Sequence, residues 1–253
     1  MNPYESRELV AQYLLFHYGK AEEILPWSFG PQEGLDFPLR TALETWSLDD
    51  LQGLPPSRAL DIGCAVGRSC FALSEVFEEV IGIDFSQAFI DAAETIQKEG
   101  QLAYDYPKQG SLTQAAIATR PDSGNASRIK FRQGDAQKLR SSGLGGFQLV
   151  HAANLIDRLP EPVSFLESLT DLIEPGGLLI LTSPYTWLEG FTPKTNWIGG
   201  YEEAGETWPN LQRLLSQHFE LLREQDMPML IPEHHRKYQW SVPHASTWRR
   251  RAE

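Results

Sequence analysis

The chain is poor in cysteine and in positive charge. It has 253 residues but only two cysteines, Cys64 and Cys70, and no C-x-x-C pair or Cys/His cluster accompanies them. We therefore expect neither a disulfide scaffold nor a metal site. Lysine and arginine number 22 against 34 aspartate and glutamate, a net charge of −12. Without a basic stripe, this balance argues against DNA or RNA as the substrate.

Long apolar runs are also missing. No stretch approaches the roughly 20 apolar residues of a transmembrane helix, and residues 1–8 lack a basic-then-apolar signal sequence. We expect a cytoplasmic protein that acts away from membranes, with the basic run at residues 248–251 as a solvated terminus. The length and the repeated strand–helix pattern favour one domain over residues 1–253. The sequence leaves the oligomeric state open.

One segment carries most of the information: an apolar strand runs into a turn of small residues and then into a helix, over residues 58–69. Gly63, Ala65 and Gly67 remove side-chain bulk where the backbone must bend and lie against a ligand. A second apolar strand ends in Asp84, a carboxylate that can accept both hydroxyls of a ribose. The pair predicts a nucleoside site, and we expect a side chain at Gly67 to disturb the ligand while the sheet still folds. The alternative is a glycine needed only for the turn.

The spacing of this turn separates two cofactor classes. A dinucleotide fingerprint would need a third small residue where Arg68 stands, so an NAD-dependent oxidoreductase is the weakest hypothesis. With Asp61 in the strand, the G-x-A-x-G pattern resembles the cofactor loop of class I methyltransferases, which bind S-adenosylmethionine. The resemblance and the positions after the strands predict eleven cofactor-binding residues: Asp61, Gly63, Cys64, Ala65, Gly67, Asp84, Phe85, Ser86, Asp135, Ala136 and Asn154.

Strand and helix patterns alternate through most of the chain. This alternation predicts an α/β fold of the Rossmann-like, three-layer type, with a mostly parallel seven-stranded sheet covered on both faces. An antiparallel hairpin of residues 220–226 and 237–242 is expected to close the sheet edge. Residues 1–56 form an N-terminal helical cap, and residues 57–253 form the core. An insertion near residues 101–128 is either a flap or a surface hairpin.

Polar side chains follow the later strands, at the edge where open α/β sheets bind ligands. Asp135 and the Ala136 N–H are placed to read an adenine edge, and the alternative for Asp135 is a helix N-cap. Asn154 can orient an amine or imidazole nitrogen near a methyl carbon, or else cap the next segment. Arg158 can clamp a substrate carboxylate, or pair with an acidic neighbour such as Asp157.

The six histidines differ in their surroundings. His151 lies on an apolar strand and is expected to be a core residue, whereas His17, His218 and His244 are expected at surface or packing positions. His234 and His235 stand in a segment dense in titratable groups. Adjacent residues of an extended segment point to opposite sides, so we expect a general base or an anion contact there, or a plain surface loop, and no chelated metal.

Six segments extend the resemblance over nearly the whole chain: NPYE (2–5), YLLFHYG (13–19), IDFSQAFIDAA (83–93), ANLIDRLP (153–160), LTSPYTW (181–187) and EHHRKYQWSV (233–242). They resemble the 4-mercaptohistidine N-methyltransferase family, in a stand-alone version of the methyltransferase domain of the bifunctional ovothiol-making enzymes. The iron-dependent sulfoxide-synthase part of those enzymes is missing, so we expect methylation only.

This resemblance implies methyl transfer from S-adenosylmethionine to an imidazole nitrogen of 5-thiohistidine, giving ovothiol A and S-adenosylhomocysteine. The partner is thus a small molecule. The protein must align nitrogen, methyl and sulfur and take up the N–H proton. The candidate catalytic residues are Asn154, Asp157, His234 and His235. The candidate substrate-binding residues, by position, are Tyr4, Tyr18, Arg158, Tyr185, Asn196, Arg236 and Tyr238.

Two other hypotheses stay open. The acceptor could be the selenium analogue of the same imidazole or another small acid. A different class is a non-catalytic S-adenosylmethionine-binding regulator or partner subunit. The polar clusters at residues 154–158 and 233–237 are both intact, and this favours an enzyme.

Overall fold

The computed structural model describes residues 3–252, which surround a seven-stranded sheet. The helices are α1 (Arg7–Tyr18), α2 (Ala21–Ile24), α3 (Phe37–Leu43), α4 (Arg68–Leu73), α5 (Gln87–Glu99), α6 (Pro162–Leu172) and α7 (Thr207–Leu215). The strands are β1 (Arg58–Ile62), β2 (Glu79–Asp84), β3 (Gln101–Gln109), β4 (Leu112–Thr119), β5 (Ile129–Gln133), β6 (Phe147–Ala153), β7 (Ile173–Ser183), β8 (Phe219–Asp226), β9 (Met229–His234), β10 (Lys237–Ser241) and β11 (His244–Arg250). No helix in this range is long and apolar enough to cross a bilayer.

The order of strands in the sheet is β5-β2-β1-β6-β7-β11-β8, and the first five run parallel. The central strands are apolar on both faces because helices cover both sides. Leu14 of α1 and Ile90 of α5 belong to the hydrophobic cluster on one face. Phe165 of α6 and Leu211 of α7 belong to the cluster on the other. The predicted three-layer α/β architecture is confirmed.

At the antiparallel edge of the sheet, one of the two strands is not the one predicted. β11 runs antiparallel between β7 and β8, so the closing strands are Phe219–Asp226 and His244–Arg250. The segment predicted to close the sheet instead pairs as β10 with β9 in a separate two-stranded sheet. Pro243 lies directly between β10 and β11, and Trp240 of β10 is more than half exposed. The alternation of polar and apolar residues therefore predicted β10 correctly as a strand but assigned it to the wrong sheet.

The basic C-terminal run is not a solvated tail, and that prediction is wrong. Trp248 is fully buried in β11, and its indole N–H donates to Ser246 Oγ at 2.9 Å. The Arg249 guanidinium donates to the Asp50 carbonyl oxygen at 3.0 and 3.1 Å. These contacts make the run part of the sheet and of its link to the N-terminal region.

The insertion is a β-hairpin of β3 and β4. Tyr106 on β3 is 1% exposed and packs in a cluster with Leu15, Leu25 and Leu230. The hairpin is thus docked on the N-terminal cap and on β9.

The N-terminal cap lies over the carboxyl edge of the sheet. Tyr18, the last residue of α1, donates its hydroxyl to the Val66 carbonyl in the turn after β1 at 2.8 Å. Near the other end, Ser86 Oγ donates to the Tyr4 carbonyl at 2.9 Å. β9 packs against α1 on its outer side. Helix α1 is therefore held between the parallel sheet and the β9–β10 hairpin.

Candidate active site

The turn after β1 is folded back onto the end of β2. The Gly63 N–H donates to the Ile83 carbonyl at 2.7 Å. Gly63, Ala65 and Gly67 all have left-handed backbone, with φ of +77°, +47° and +87°. This conformation aims the Ala65 N–H at Asp84 Oδ2, 2.9 Å away. A left-handed φ is energetically unfavourable for alanine, and such backbone strain is typical of turns at functional sites.

The Asp84 carboxylate is recessed at the end of β2. Its Oδ1 accepts the Ser86 N–H at 2.8 Å, in addition to the Ala65 contact at Oδ2. Burial raises the pKa of Asp84 to about 6, against the lowering effect of these two hydrogen bonds. Phe85 beside it is 61% exposed, an unusual position for a large aromatic ring. A carboxylate and a free aromatic face therefore stand together where a nucleoside was predicted.

We expect Asp84→Asn to remove a pH-dependent loss of stability from the unliganded protein. The folded-state pKa lies above the unfolded value, so ionisation of Asp84 costs stability as pH rises through this interval. Relative to the variant, the free energy of unfolding of the wild type should therefore fall by about 1–3 kcal/mol between about pH 4 and about pH 7. The asparagine can accept only one of the two N–H groups that the carboxylate binds, so the pH dependence and not the absolute stability is compared. Urea denaturation at several pH values measures it, and parallel pH profiles of the two proteins would contradict the raised pKa.

The structure overturns the interpretation of Gly67. A Cβ at this position would lie 2.6 Å from Phe131 Cζ and 3.1 Å from Ala93 Cβ, inside the core. The glycine is needed for a positive φ and for close packing of the turn against β5 and α5. A substitution would damage the fold before it reached any ligand.

A matched pair of glycines tests this correction. Gly53 has the same φ of +87° as Gly67, but a Cβ there meets nothing within 4 Å. We expect Gly53→Ala to cost about 1 kcal/mol of backbone strain, and Gly67→Ala about 3 kcal/mol or more because overpacking is added. Urea denaturation of the two variants decides it. Similar losses at both positions would show that the core contacts around Gly67 adjust freely.

Asp61 lies beneath the turn instead of facing a ligand. It is almost fully buried, and His151 Nδ1 lies 2.7 Å from its Oδ1. The Ser69 hydroxyl and the Cys70 thiol donate to Oδ2. Asp61 therefore braces the start of α4 against β6, and the predicted cofactor contact is corrected to a positioning role.

Cys64 and Ser86 also have structural places. Cys64 is buried, and burial raises the pKa of its thiol to about 11. Ser86 is fully buried as the N-cap of α5, and its Oγ accepts the Phe89 N–H at 3.2 Å. Their side chains are not exposed to a ligand, so a cofactor contact by either residue stays a prediction for its backbone atoms alone.

Asp135 adopts the capping alternative that the sequence left open. Its Oδ1 accepts the Gln137 N–H at 2.9 Å, at the start of a 3₁₀ segment that begins with the largely buried Ala136. Lys138 lies 3.3 Å from the other carboxylate oxygen. An adenine contact by Asp135 and Ala136 stays a prediction.

Asn154 follows β6 in a strained backbone conformation, with a φ of +51°. Its Oδ1 accepts the Thr182 hydroxyl at 2.8 Å, and its Nδ2 lies 3.1 Å from Met229 Sδ. The strain and the two contacts hold the amide in one orientation at the carboxyl edge, as an orienting residue requires.

Asp157 is the most unusual titratable group of the site. It is 1% exposed, its Oδ2 accepts the Thr186 N–H and an Arg158 N–H at 3.0 Å each, and its Oδ1 has no partner among residues 3–252. Burial raises its pKa. Arg158 thus makes the acidic pair that was one of its two predicted roles. Its charge also reaches Tyr4, where it lowers the pKa that burial raises.

His234 and His235 lie at the opposite end of β9 from the contact with Asn154, and their role as proton acceptors stays a prediction. Met229 at the start of β9 touches Asn154, and His234 ends the same strand five residues on, about 16 Å further at the usual strand rise. The His235 ring stacks on Tyr106 of the insertion, with centroids 6.1 Å apart. The turn after β9 therefore belongs to the interface between the insertion and the cap.

Three further substrate candidates are also placed elsewhere. Arg236 lies over the Trp27 ring at 5.0 Å, and the Tyr238 hydroxyl donates to the His235 carbonyl at 2.9 Å. Asn196 donates to Glu161 Oε1 at 2.9 Å, on the outside of the following loop. All three were predicted from their position in the sequence, which does not determine the partner of a side chain.

Two candidates remain at or beside the edge. Tyr185, which follows β7 with a φ of +54°, has its hydroxyl 2.8 Å from His244 Nδ1. Burial raises its pKa, with smaller contributions from the charges of Glu224 and Asp157. The Tyr18 hydroxyl donates to the Val66 carbonyl, so it connects the N-terminal cap to the turn after β1.

Two residues of α1 near the edge were not among the predicted site residues. Burial raises the pKa of Tyr13, and its ring lies 4.8 Å from that of Phe89 in the first turn of α5, beside the end of β2. His17, four residues on, lies within ring contact of Tyr13 at 5.9 Å. The i, i+4 spacing on one helix face was the available signal. Within residues 3–252, no group of three or more His, Cys, Asp or Glu side chains could hold a metal ion.

Comparison with known proteins gives a consistent family. A family profile described as "Methyltransferase domain" matches residues 38–236. The ubiquinone biosynthesis O-methyltransferase of Pseudomonas aeruginosa (strain LESB58) is 27% identical over 136 residues, which are 54% of this chain and 48% of that protein. The chain spans about half the length of the curated relatives it matches.

Solved structures show the same fold. Magnesium protoporphyrin IX methyltransferase from Synechocystis PCC 6803 with bound SAM has a TM-score of 0.54 and 16% identity, covering 99% of this chain and 100% of that chain. N-methyltransferase NodS from Bradyrhizobium japonicum WM9 with S-adenosylhomocysteine has a TM-score of 0.52 and 13% identity, covering 95% and 98%. At these identities the likeness concerns the fold.

Proposed function

Because the chain belongs to the methyltransferase-domain family, we propose that it transfers a methyl group from S-adenosylmethionine to an imidazole nitrogen of 5-thiohistidine. The products are ovothiol A and S-adenosylhomocysteine. One observation carries the proposal. The Asp84 carboxylate, held on the Ala65 N–H, and a buried Asp157 oxygen that no described residue binds lie at the same edge of the sheet.

The end of β2 fits the nucleoside of the donor. A carboxylate accepts about four hydrogen bonds, and Asp84 uses two on backbone N–H groups. The remaining lone pairs suit two ribose hydroxyls, and the exposed Phe85 ring offers a face to adenine. S-adenosylmethionine supplies an activated methyl group on a sulfonium.

The cover over the edge favours a small acceptor. The Tyr4 carbonyl accepts the Ser86 hydroxyl at the end of β2, and the Tyr13 ring packs on Phe89 at 4.8 Å. Met229 of β9 reaches Asn154. A folded protein or a nucleic acid would have to displace this cover. Arg158, beside Tyr4, is paired with Asp157, so its charge balances that carboxylate at the edge.

Asp157 is the side chain best suited to the proton of the acceptor. Its free Oδ1 accepts the N–H proton as the nitrogen–carbon bond forms and the carbon–sulfur bond breaks, with the electron pair left on sulfur. The raised pKa brings this carboxylate closer to the pKa of an effective base. Asn154, fixed by Thr182, orients the accepting nitrogen. The buried surroundings exclude water from the transfer.

Incubation with labelled S-adenosylmethionine and a panel of acceptors tests the proposal. The panel holds 5-thiohistidine, its selenium analogue, histidine and ergothioneine, and mass spectrometry reads the products. We expect one added methyl group on an imidazole nitrogen of 5-thiohistidine. Preference for the selenium compound would reassign the acceptor. Binding of S-adenosylhomocysteine without methylation of any acceptor would favour a non-catalytic binding protein.

A further inference from the structure

The positively charged side chain of Arg68 forms no ion pair among residues 3–252. It is the first residue of α4, directly after the turn, and one of its terminal nitrogens, Nη1, is buried. Neither the hydrogen bonds nor the ion pairs among residues 3–252 include its side chain. The guanidinium of Arg223, by contrast, donates to both oxygens of Asp50 at 2.7 and 2.8 Å. A buried guanidinium N–H without an acceptor is costly, so the fold leaves a place for one.

His17 faces the same space from α1. Its ring Nδ1 is buried and has no partner among residues 3–252. Burial lowers the pKa of His17 to about 3, against the opposing charge of Asp61 and together with the charge of Arg68. The imidazole is therefore neutral, and in the tautomer protonated at Nδ1 it donates one N–H without adding charge. Two donors of different helices thus lack an acceptor next to the turn.

The nearby carboxylates cannot fill this role. Asp61 is bound at Oδ1 by His151 and at Oδ2 by Ser69 and Cys70. Asp84 keeps lone pairs free, but its two oxygens accept from Ala65 and Ser86 and not from Arg68 or His17. No carboxylate among residues 3–252 thus pairs with Arg68, and a small external anion can supply the acceptor.

We propose that Arg68 and His17 form a carboxylate subsite between α4 and α1, which holds the amino-acid end of a bound substrate. The identity of the anion rests on the proposed function, in which both the methyl donor and 5-thiohistidine carry an α-carboxylate. Arg68 supplies the charge and two N–H groups in a planar fork that matches a carboxylate. Arg158 is already engaged with Asp157 and with the Thr186 carbonyl, so the two arginines have separate tasks.

Calorimetry with two ligands tests the subsite. S-adenosylhomocysteine has the amino-acid end, whereas 5′-methylthioadenosine shares the nucleoside and lacks that end. If the subsite holds the donor, Arg68→Met weakens S-adenosylhomocysteine about tenfold or more and leaves 5′-methylthioadenosine unchanged. If it holds the acceptor, both affinities stay and the KM for 5-thiohistidine rises by a similar factor at constant kcat.

Arg132→Met is the matched control, because it removes one exposed positive charge from β5. It should change neither affinity. Arg68→Lys, which keeps the charge in the same place, should recover part of the loss, and it serves as the test variant if Arg68→Met does not fold.

Two results would overturn the subsite. Equal weakening of both ligands by Arg68→Met would show that Arg68 only shapes the turn, and unchanged affinities with an unchanged KM would show that no ligand meets it. The identity of the proposed acceptor is tested separately from the subsite. A wild-type protein that binds S-adenosylhomocysteine but does not methylate 5-thiohistidine would disprove that acceptor and leave the two-ligand comparison valid.

Discussion

Asp157→Asn is expected to lower kcat for methylation of 5-thiohistidine by about 10²- to 10⁴-fold, the usual contribution of a positioned general base. The asparagine oxygen can still accept the Thr186 N–H, so the loop after β6 should stay in place. Affinity for S-adenosylhomocysteine should change little, because Asp84 and the turn are untouched. Steady-state kinetics and calorimetry on the same preparation measure both quantities.

The pH profile separates a base from a merely structural carboxylate. Burial raises the pKa of Asp157, so the wild-type kcat should rise with pH through a value above the ordinary carboxyl range and then level off. This rise of kcat with pH should be absent in Asp157→Asn. Glu161→Gln is the control, since that carboxylate lies on the same loop and binds Asn196. An Asp157→Asn enzyme with wild-type kcat would rule out the proton transfer.

Asp84→Ala is expected to weaken S-adenosylhomocysteine by about 10- to 100-fold, the effect of losing hydrogen bonds to a charged group. Removal of the carboxylate also frees the Ala65 N–H, which adds to the loss. Calorimetry of the folded variant measures the change. Unchanged affinity would mean that the nucleoside binds away from the end of β2.

The affinity should also depend on pH in a defined direction. The pKa of Asp84 is raised to about 6 by burial, so the carboxylate takes up a proton below that pH and loses its capacity to accept two hydroxyls. The wild-type Kd for S-adenosylhomocysteine should then increase by about tenfold for each pH unit below this value. Asp84→Asn should show a weak and nearly constant affinity over the same range. A wild-type Kd independent of pH would contradict the role of this ionisation.

The core of the fold could be predicted because its signals are local. Continuous apolar runs of four to six residues, such as those of β1 and β2, become buried parallel strands wherever helices follow them. Small residues at 63, 65 and 67 can adopt left-handed backbone, and the structure shows all three in that region. The position of Asp84 was predicted correctly because the last residue of a parallel strand always lies at the carboxyl edge of the sheet.

The sequence could not decide the outcome where it depended on partners distant in sequence. The alternating pattern of β10 satisfies a strand in either sheet, and only β9 and Pro243 determine which sheet it joins. His234 and His235 stand in a titratable cluster, but the length of β9 carries them to the insertion. The Ser86 side chain became a cap because N–H groups at the start of a helix need acceptors.

The sequence by itself determined the parallel sheet, the small-residue turn after β1 and the carboxylate at the end of β2, since each depends on neighbours within a few residues. Only the tertiary structure decided which side chains share the space above the turn. Tyr13, His17 and Arg68 meet there because α1 packs between the sheet and the β9–β10 hairpin. That docking is the sum of many weak apolar contacts across the chain, and no single stretch of sequence encodes it.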